Sequence, residues 1–449
     1  MANESLKIKK VAIKSVDSLR ELTIRPEFSD ASAIIRDYRK KSWELYQSIP
    51  LPTETDEDWR RTSLKSANLP ELRLLSSDAG NIKFPRELKS SLADRQHGGQ
   101  ILFSHSTVDR FLDPELVSQG VIFEDILSAV EKYPELVERL INRLDLQPRK
   151  KFSALAGALP MAGVVLYIPK NVVVSSPLQS LYWSPEDGVA HGSHVFVYLE
   201  DGASVTFVHE FASPQNLIKS TLHTGVIDVY VGQGASLKFV ELQSWGENVW
   251  NVTRENVDID RDGSVDWVFG ALGSKLTKNY SDLNLIGQGS TGKISGFYFT
   301  DNQQHLDHDT QQNHLAADTT SDLLFKGALL DESRSVWQGM IYVAPNAART
   351  DGYQANRNLV LSEKARADSI PGLEILTDDV RCTHGATVGK IDKEEIFYLQ
   401  SRGMPKETAE RLIVEGFFDP IMQRIPFEGV KKRFQKAIKD KMEHIGRNN

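Results

Sequence analysis

The sequence is poorest in cysteine. Cys382 is the single one in 449 residues, so no disulfide can form within the chain. That suits a reducing compartment. No stretch reaches the ~18 apolar residues of a membrane-spanning helix. Met1 to Lys10 has no apolar core of signal-peptide length, so a cytoplasmic protein away from membranes is expected. Positive charge is also short: 53 Lys and Arg stand against 61 Asp and Glu, a formal net charge of −8. A nucleic-acid partner, which asks for a basic face, is therefore not expected. The length exceeds one ordinary core and points to two or three domains.

What is present changes character twice. Asp30 to Tyr46 carries Ile34, Ile35, Tyr38 and Trp43 at helix-like intervals. Leu51 to Thr62 reads as a turn-rich entry, and residues 65 to 105 show no clear period. From Phe123, Ile126, Leu127 and Val130 are followed by Leu136, Val137, Leu140, Ile141 and Leu144 at three- and four-residue steps. Pro134 suits the start of a second helix, where a missing N–H costs little. Residues 1–150 are expected to form a mainly helical domain.

Near Gly163 the period falls to that of strands. Val164 to Pro169 and Asn171 to Val174 are short, β-branched and bounded by turn residues. Strand then follows strand to about residue 385. Tyr198 to Val208 is echoed by Tyr230 to Val240, Asp262 to Val268 repeats the centre of it, and Gly292 to Phe297 does so more loosely. Gly202, Gly234, Gly263 and Gly292 fall 32, 29 and 29 residues apart. A strand-only repeat of that length predicts a mainly β fold, a β-solenoid or β-helix over residues 151–389, with a sandwich as the alternative. Stacked coils leave bare edges at both ends, and the flanking helical regions are expected to cap them.

Residues 390–449 read as helical again. Asp392 and Glu395 make a capping-box-like start, and Gly403 a stop. Pro405 opens the next helix, with Ala409, Leu412, Ile413 and Phe417 on one side. The last helix carries Val430, Phe434, Ile438, Met442 and Ile445 as an apolar stripe. Lys431, Lys432, Arg433, Lys436, Lys439 and Lys441 lie on its other faces. Such a stripe must be buried, against its own domain or a partner.

Two motifs mislead. Gly287-Gln288-Gly289-Ser290-Thr291-Gly292-Lys293 satisfies G-x-G-x-x-G and nearly a P-loop, but Ile294 lacks the hydroxyl that Mg²⁺ needs. Ile294 to Phe299 reads as a strand rather than the helix that phosphate binding requires, so a solenoid turn is expected. His305, Asp307, His308, Asp309 and His314 have metal-like density, yet strand-edge histidines bonded into a turn are the plainer reading. A solenoid with scattered acids also fits a polysaccharide hydrolase or lyase on fold grounds, although no strand marks a paired acid and base.

The remaining candidate is Asp379-Val380-Arg381-Cys382-Thr383-His384-Gly385-Ala386-Thr387-Val388-Gly389. In an extended segment Cys382 and His384 share a face. A thiolate beside a neutral imidazole is a donor pair for soft or borderline metals. A buried cysteine near a hydrogen-bonded histidine fits the residues as well.

This segment, running on through Phe397-Tyr398-Leu399-Gln400-Ser401-Arg402-Gly403, resembles the C-terminal signature of the SufB/SufD family, scaffold subunits of the SUF system of iron–sulfur cluster assembly. Ala348 to Leu359, Pro371 to Ile375, His305 to His314, Val164 to Val174 and Glu57 to Arg60 look like the same family. The likeness spans nearly the whole chain, and it is closer to the SufD branch. SufB-like sequences place a cysteine right after the Phe-Tyr pair, where this chain has Leu399. They read Glu-Ala-Thr after the histidine, where this chain has Gly385-Ala386-Thr387.

The resemblance implies a right-handed parallel β-helix between helical N-terminal and C-terminal domains, and a scaffold without catalytic activity of its own. It implies pairing with SufB through the β-helices, and docking of the C-terminal helices on the ATPase SufC. Pro405, Leu412, Ile413, Phe417 and Phe434 are the candidates for that contact. It further implies a transient iron–sulfur cluster at the SufB interface, with His384 as the main metal-binding residue and Cys382 as the second. It allows for a reduced flavin in the complex and for a homodimer in isolation. The nearest rival is a SufB-like homodimeric scaffold, against which Leu399 weighs.

Overall fold

Successive strands of the repeat alternate between two stacks. A computed structural model describes residues 22, 25–67, 69–75, 82–86, 88, 97–144, 151–425 and 428–443. One sheet stacks Gly163–Ile168, Val189–Leu199, Thr221–Val231, Val249–Ile259, Leu276–Leu285, His305–His314, Arg334–Val343 and Arg366–Ile375. The second stacks Leu178–Trp183, Ser204–Ala212, Ser236–Ser244, Ser264–Ala271, Thr291–Thr300, Thr320–Leu329, Thr350–Val360 and Val380–Lys390. All of these pairs are parallel, so each coil contributes one strand to each sheet and the whole is a β-solenoid of about eight turns. The sandwich alternative is excluded by that connectivity.

The repeat has a backbone cause. Asn171, Gly202, Gly234, Asp262, Gly289, Asp318 and Arg349 all have φ between 53° and 74°. They occupy the same corner of successive coils, 27 to 32 residues apart. Their N–H groups reach along the stack to the next coil, Gly202 to the Gln233 carbonyl at 2.8 Å and Gly234 to the Arg261 carbonyl at 2.8 Å. The left-handed corner is therefore carried by glycine, aspartate, asparagine and one arginine. Gly263 and Gly292, two of the four glycines that mark the sequence repeat, sit beside the corner instead. Gly287 to Lys293 contains a corner and the start of a strand, as expected for a turn.

Alternation along each strand sends one row inward and one outward. Between the sheets lie Val197, Val229, Val257 and Leu283 from one side and Phe207, Phe239, Trp267, Ile294 and Leu323 from the other. The outer faces are covered separately. Ala33–Ser48, Pro134–Arg143 and Lys151–Ala158 pack over the first sheet, burying Tyr46, Trp59 and Phe152 against Ala190, Leu222 and Trp250. Pro134 does begin its helix.

Lys406–Met422 and Glu428–Glu443 pack over the second sheet, where Val414, Phe418, Ile421, Phe434, Ile438 and Met442 meet Val240, Leu242, Val268, Phe297 and Phe299. The apolar stripe of the last helix is thus buried within the chain. Arg433 pairs with the fully buried Glu210, and Lys441 with Asp301. Ile445, the side chain of Val430 and the first ten residues lie outside the described residues.

The two ends of the solenoid differ. At the N-terminal end Ile122–Asp125 adds antiparallel to Gly163–Ile168. There too Gly99–Phe103 and Val108–Leu112 form a hairpin beside Leu178–Trp183. At the C-terminal end Arg366–Ile375 and Val380–Lys390 are the last strands, and no described element covers them. The expected helical cap is absent there. Lys393–Ser401 buries none of its residues, because the helices after it are drawn to the apolar outer face of the second sheet. Asp392 caps this helix through the Glu394 N–H, and Gly403, at φ 86°, ends it.

Phe434 is 1% exposed and Leu412 46%. Replacing Phe434 by Ala should cost about 3–5 kcal/mol, and Leu412→Ala no more than about 0.5 kcal/mol. Urea unfolding of the full chain checks this; equal midpoints for the two variants would refute the packing described.

Candidate functional site

Cys382 and His384 lie on the last strand, Val380–Lys390, and both belong to its inward-facing row. Cys382 pairs in register with Gly352, and His384 with Gln354. Gly352 leaves room for the thiol: a β-carbon there would stand 3.2 Å from Cys382 Sγ and 3.4 Å from His314 Nε2. Cys382 is half-buried against the cluster of Ile341, Val343 and Ala347. Burial pushes its thiol pKa up, only partly offset by the Gly352 backbone, and Asp351 adds in the same direction. The resting group is a protonated thiol rather than a free thiolate.

The neighbouring histidine is fixed. His314 Nδ1 meets the Thr319 hydroxyl at 2.7 Å and Nε2 meets the Ser321 hydroxyl at 2.8 Å. Burial pushes its pKa down to about 4, so it is neutral at pH 7. Both nitrogens are occupied, which removes it as a ligand beside Cys382.

His384 stands in the other extreme. It is exposed, and no hydrogen bond or ion pair holds it among the described residues. Below it Gln354 donates to the carbonyls of Gly339 at 3.3 Å and Gly372 at 2.9 Å. The structure therefore puts the two candidates on one face at an uncovered end, one half-buried and one free. Among the described residues no group of three or more His, Cys, Asp or Glu is placed to hold a metal ion. Two donors are half a coordination shell, so a cluster here requires ligands from outside this chain.

The other candidates separate. His305, His308 and His314 do not converge; His305 and His314 are the two ends of one strand, and His314 is bonded to Thr319 in the turn that follows, as expected of strand-edge histidines. His305 faces outward to the Thr62 hydroxyl at 3.0 Å, while His308 and His314 face inward. Asp307 and Asp309 hold the buried Lys278 at 3.0 and 2.7 Å. Of the five C-terminal candidates, Pro405 and Leu412 are exposed, Ile413 and Phe417 are half-buried, and Phe434 is not accessible. Lys326 Nζ donates to the Phe417 carbonyl at 2.7 Å, tying that helix to the sheet.

Sequence reasoning named His314 and the stretch holding Gly352 and Gln354, but did not place them beneath Cys382 and His384 as the floor of the site. The signal was the repeat itself: Cys382 and His384 lie 30 residues after Gly352 and Gln354. The rim was missed too. Leu373, Leu376, Val388, Phe397 and Tyr398 are all exposed at this end, an apolar set of the kind that marks an interaction surface.

Comparison with known proteins covers most of the described fold. The profile described as "SUF system FeS cluster assembly, SufBD core domain" matches residues 182–417, and "SufBD protein N-terminal region" matches residues 27–180. The "Iron-sulfur cluster assembly protein SufD" of Bacillus subtilis is 30% identical over 415 residues, covering 91% of this chain and 94% of that protein. An "Iron-sulfur cluster assembly SufBD family protein" of Staphylococcus saprophyticus is 27% identical over 422 residues, covering 91% and 89%. One of Staphylococcus aureus is 27% identical over 421 residues with the same coverage.

Alkylation of Cys382 in the isolated chain should be slower at pH 7 than that of an exposed cysteine. Its rate should keep climbing past pH 9.0, the ordinary value. A rate that levels off near neutral pH would show a reactive thiolate and contradict this placement.

Proposed function

The chain belongs to the SufBD family of iron–sulfur cluster assembly proteins, and from that premise we propose that it is a scaffold subunit carrying half of an assembly site. The observation that carries this reading is the uncovered last rung with Cys382 and His384 on its inner face. The partner is a SufB-type subunit whose own last coil completes the stack. Backbone groups of Val380–Lys390 supply the pairing, and Val388, Phe397 and Tyr398 supply apolar contact. The cluster is cargo, held transiently by ligands from both chains. His384 is the main donor from this side because its imidazole is unengaged. Cys382 is the second and must lose its proton to bind. The family resemblance allows for a reduced flavin in the complex; no residue of this chain is assigned to it.

The ATPase, SufC, docks on Lys406–Met422 through Leu412 and its neighbours Pro405, Ile413 and Phe417. Phe434 is excluded from that contact by its burial. In this division of labour the chain positions cargo and partners and performs no chemistry alone. A polysaccharide hydrolase needs its paired acids in an open groove. The buried carboxyl pair found in this solenoid, Glu241 and Glu255, lies inside it.

Reconstitution with SufB and SufC partners tests the site. His384→Ala should lower the yield of assembled cluster at least fivefold while the three subunits still co-purify. Wild-type yield would overturn the assignment of His384. Separately, Leu412→Glu should abolish co-purification of SufC and leave SufB bound; retained SufC would overturn the docking face.

A further inference from the structure

Two glutamates face inward in the middle of the solenoid. Glu241 stands in register between His209 and Phe269, and Glu255 between Ile227 and Ser281. They are 2% and 0% exposed. The two carboxyl groups are hydrogen-bonded to each other, and the Ser281 hydroxyl donates to Glu255 at 2.6 Å. No lysine or arginine occupies the rows beside them. His209 is held by the Ser180 hydroxyl at 2.7 Å and is neutral, its pKa driven by burial to about 3. Asp282, on the outward row of the next strand, adds repulsion. Burial raises Glu241 well above its ordinary value and Glu255 to about 7. Two such carboxyls cannot both ionise at neutral pH.

Beyond the pair, inward polar groups lack partners. Asn279 Oδ1, both ring nitrogens of His308, Trp337 Nε1 and Gln354 Oε1 are buried without a hydrogen bond. A neutral imidazole with both nitrogens unmet is unfavourable in a dry interior. Buried water is the usual remedy. These groups follow one another. Ser281 is the rung after Glu255, and Asn279 stands beside it on the same row. His308 is the rung after Asn279, and Trp337 the rung after His308. The Trp337 ring and Gln354 Oε1 both crowd the missing side chain of Gly339, 2.3 and 2.4 Å from where its β-carbon would be. His384 is the rung after Gln354. Four rungs span about 19 Å.

We propose that Glu241 and Glu255 hold one shared proton inside the solenoid, and that a file of buried water along Asn279, His308 and Gln354 joins them to the open end at His384. A proton from solvent enters at the open end, each water passes one proton on, and an O–H bond forms on the pair, which becomes neutral. The pair returns its proton to solvent by the same route, so the solenoid holds one exchangeable proton.

The test uses the full chain alone, without partners or cluster, so its result stands apart from the assembly assignment. Infrared spectra at pH 7 should show a protonated carboxyl stretch that the double variant Glu241→Gln/Glu255→Gln lacks. On transfer to D2O that band should shift before the amides of the central strands exchange. His308→Leu, which removes a polar step at similar volume, should slow the shift at least tenfold. A missing band, whether from full ionisation or a bound cation, overturns the proposal. So does a band that shifts only together with the core amides.

Stability gives a second readout. Glu255 is raised from 4.5 to about 7 on folding, so the native state binds more protons than the unfolded state within that window. Stability falls as pH rises through the window and levels off above it. The gain in melting temperature from Glu255→Gln should therefore be larger at pH 8 than at pH 5. A gain that shrinks with pH contradicts a proton held on the pair.

Discussion

Every rung of a parallel stack needs another rung on each side, because half of its backbone groups point one way along the axis and half the other. The central strands meet that demand through in-register pairing, and the left-handed corners repeat it turn by turn. At the first coil, antiparallel strands supply the last partners. At the final coil no described element does. Val380–Lys390 is eleven residues of unpaired edge, a length that stable monomers rarely leave bare. Cys382 and His384 occupy the inner row of that strand, so the candidate ligands and the unmet pairing demand are the same place.

The outer faces explain why the end stays open. Each sheet presents an apolar outer surface as well as an inner one, and the two helical regions divide these surfaces between them. The C-terminal helices bury Phe418, Phe434 and Ile438 there and neutralise Glu210 with Arg433. With their apolar faces already turned to the sheet, they have none left to cap the final coil. Lys393–Ser401, which connects the coil to them, is left exposed with Phe397 and Tyr398 outward.

Much of this could be read from residues alone. The 32-residue echo of Tyr198 to Val208 demands a stacked unit, and alternation within Val380–Lys390 puts Cys382 and His384 on one face. Family likeness then supplied a role that two residues could not. The cap failed because a helix stripe states that it is buried, not against what. The corner positions were half-visible, since aspartate and arginine serve where only glycine looks diagnostic. Glu241 and Glu255 gave no signal. Glu241 between Val240 and Leu242 reads as the solvent row, and Glu255 sits among polar neighbours, yet both outer faces are covered and the acids turn inward.

The account stands on one claim, that the open end of this solenoid is continued by a second chain. Hydrogen exchange of Val380–Lys390, measured with and without a SufB-type partner, tests it most directly. The outward-pointing amides of this strand should exchange rapidly in the isolated chain and slow at least tenfold in the complex, as a strand does when it gains a neighbour. Unchanged exchange in a complex that has formed would mean that the partner binds elsewhere, and the half-site would have no other half.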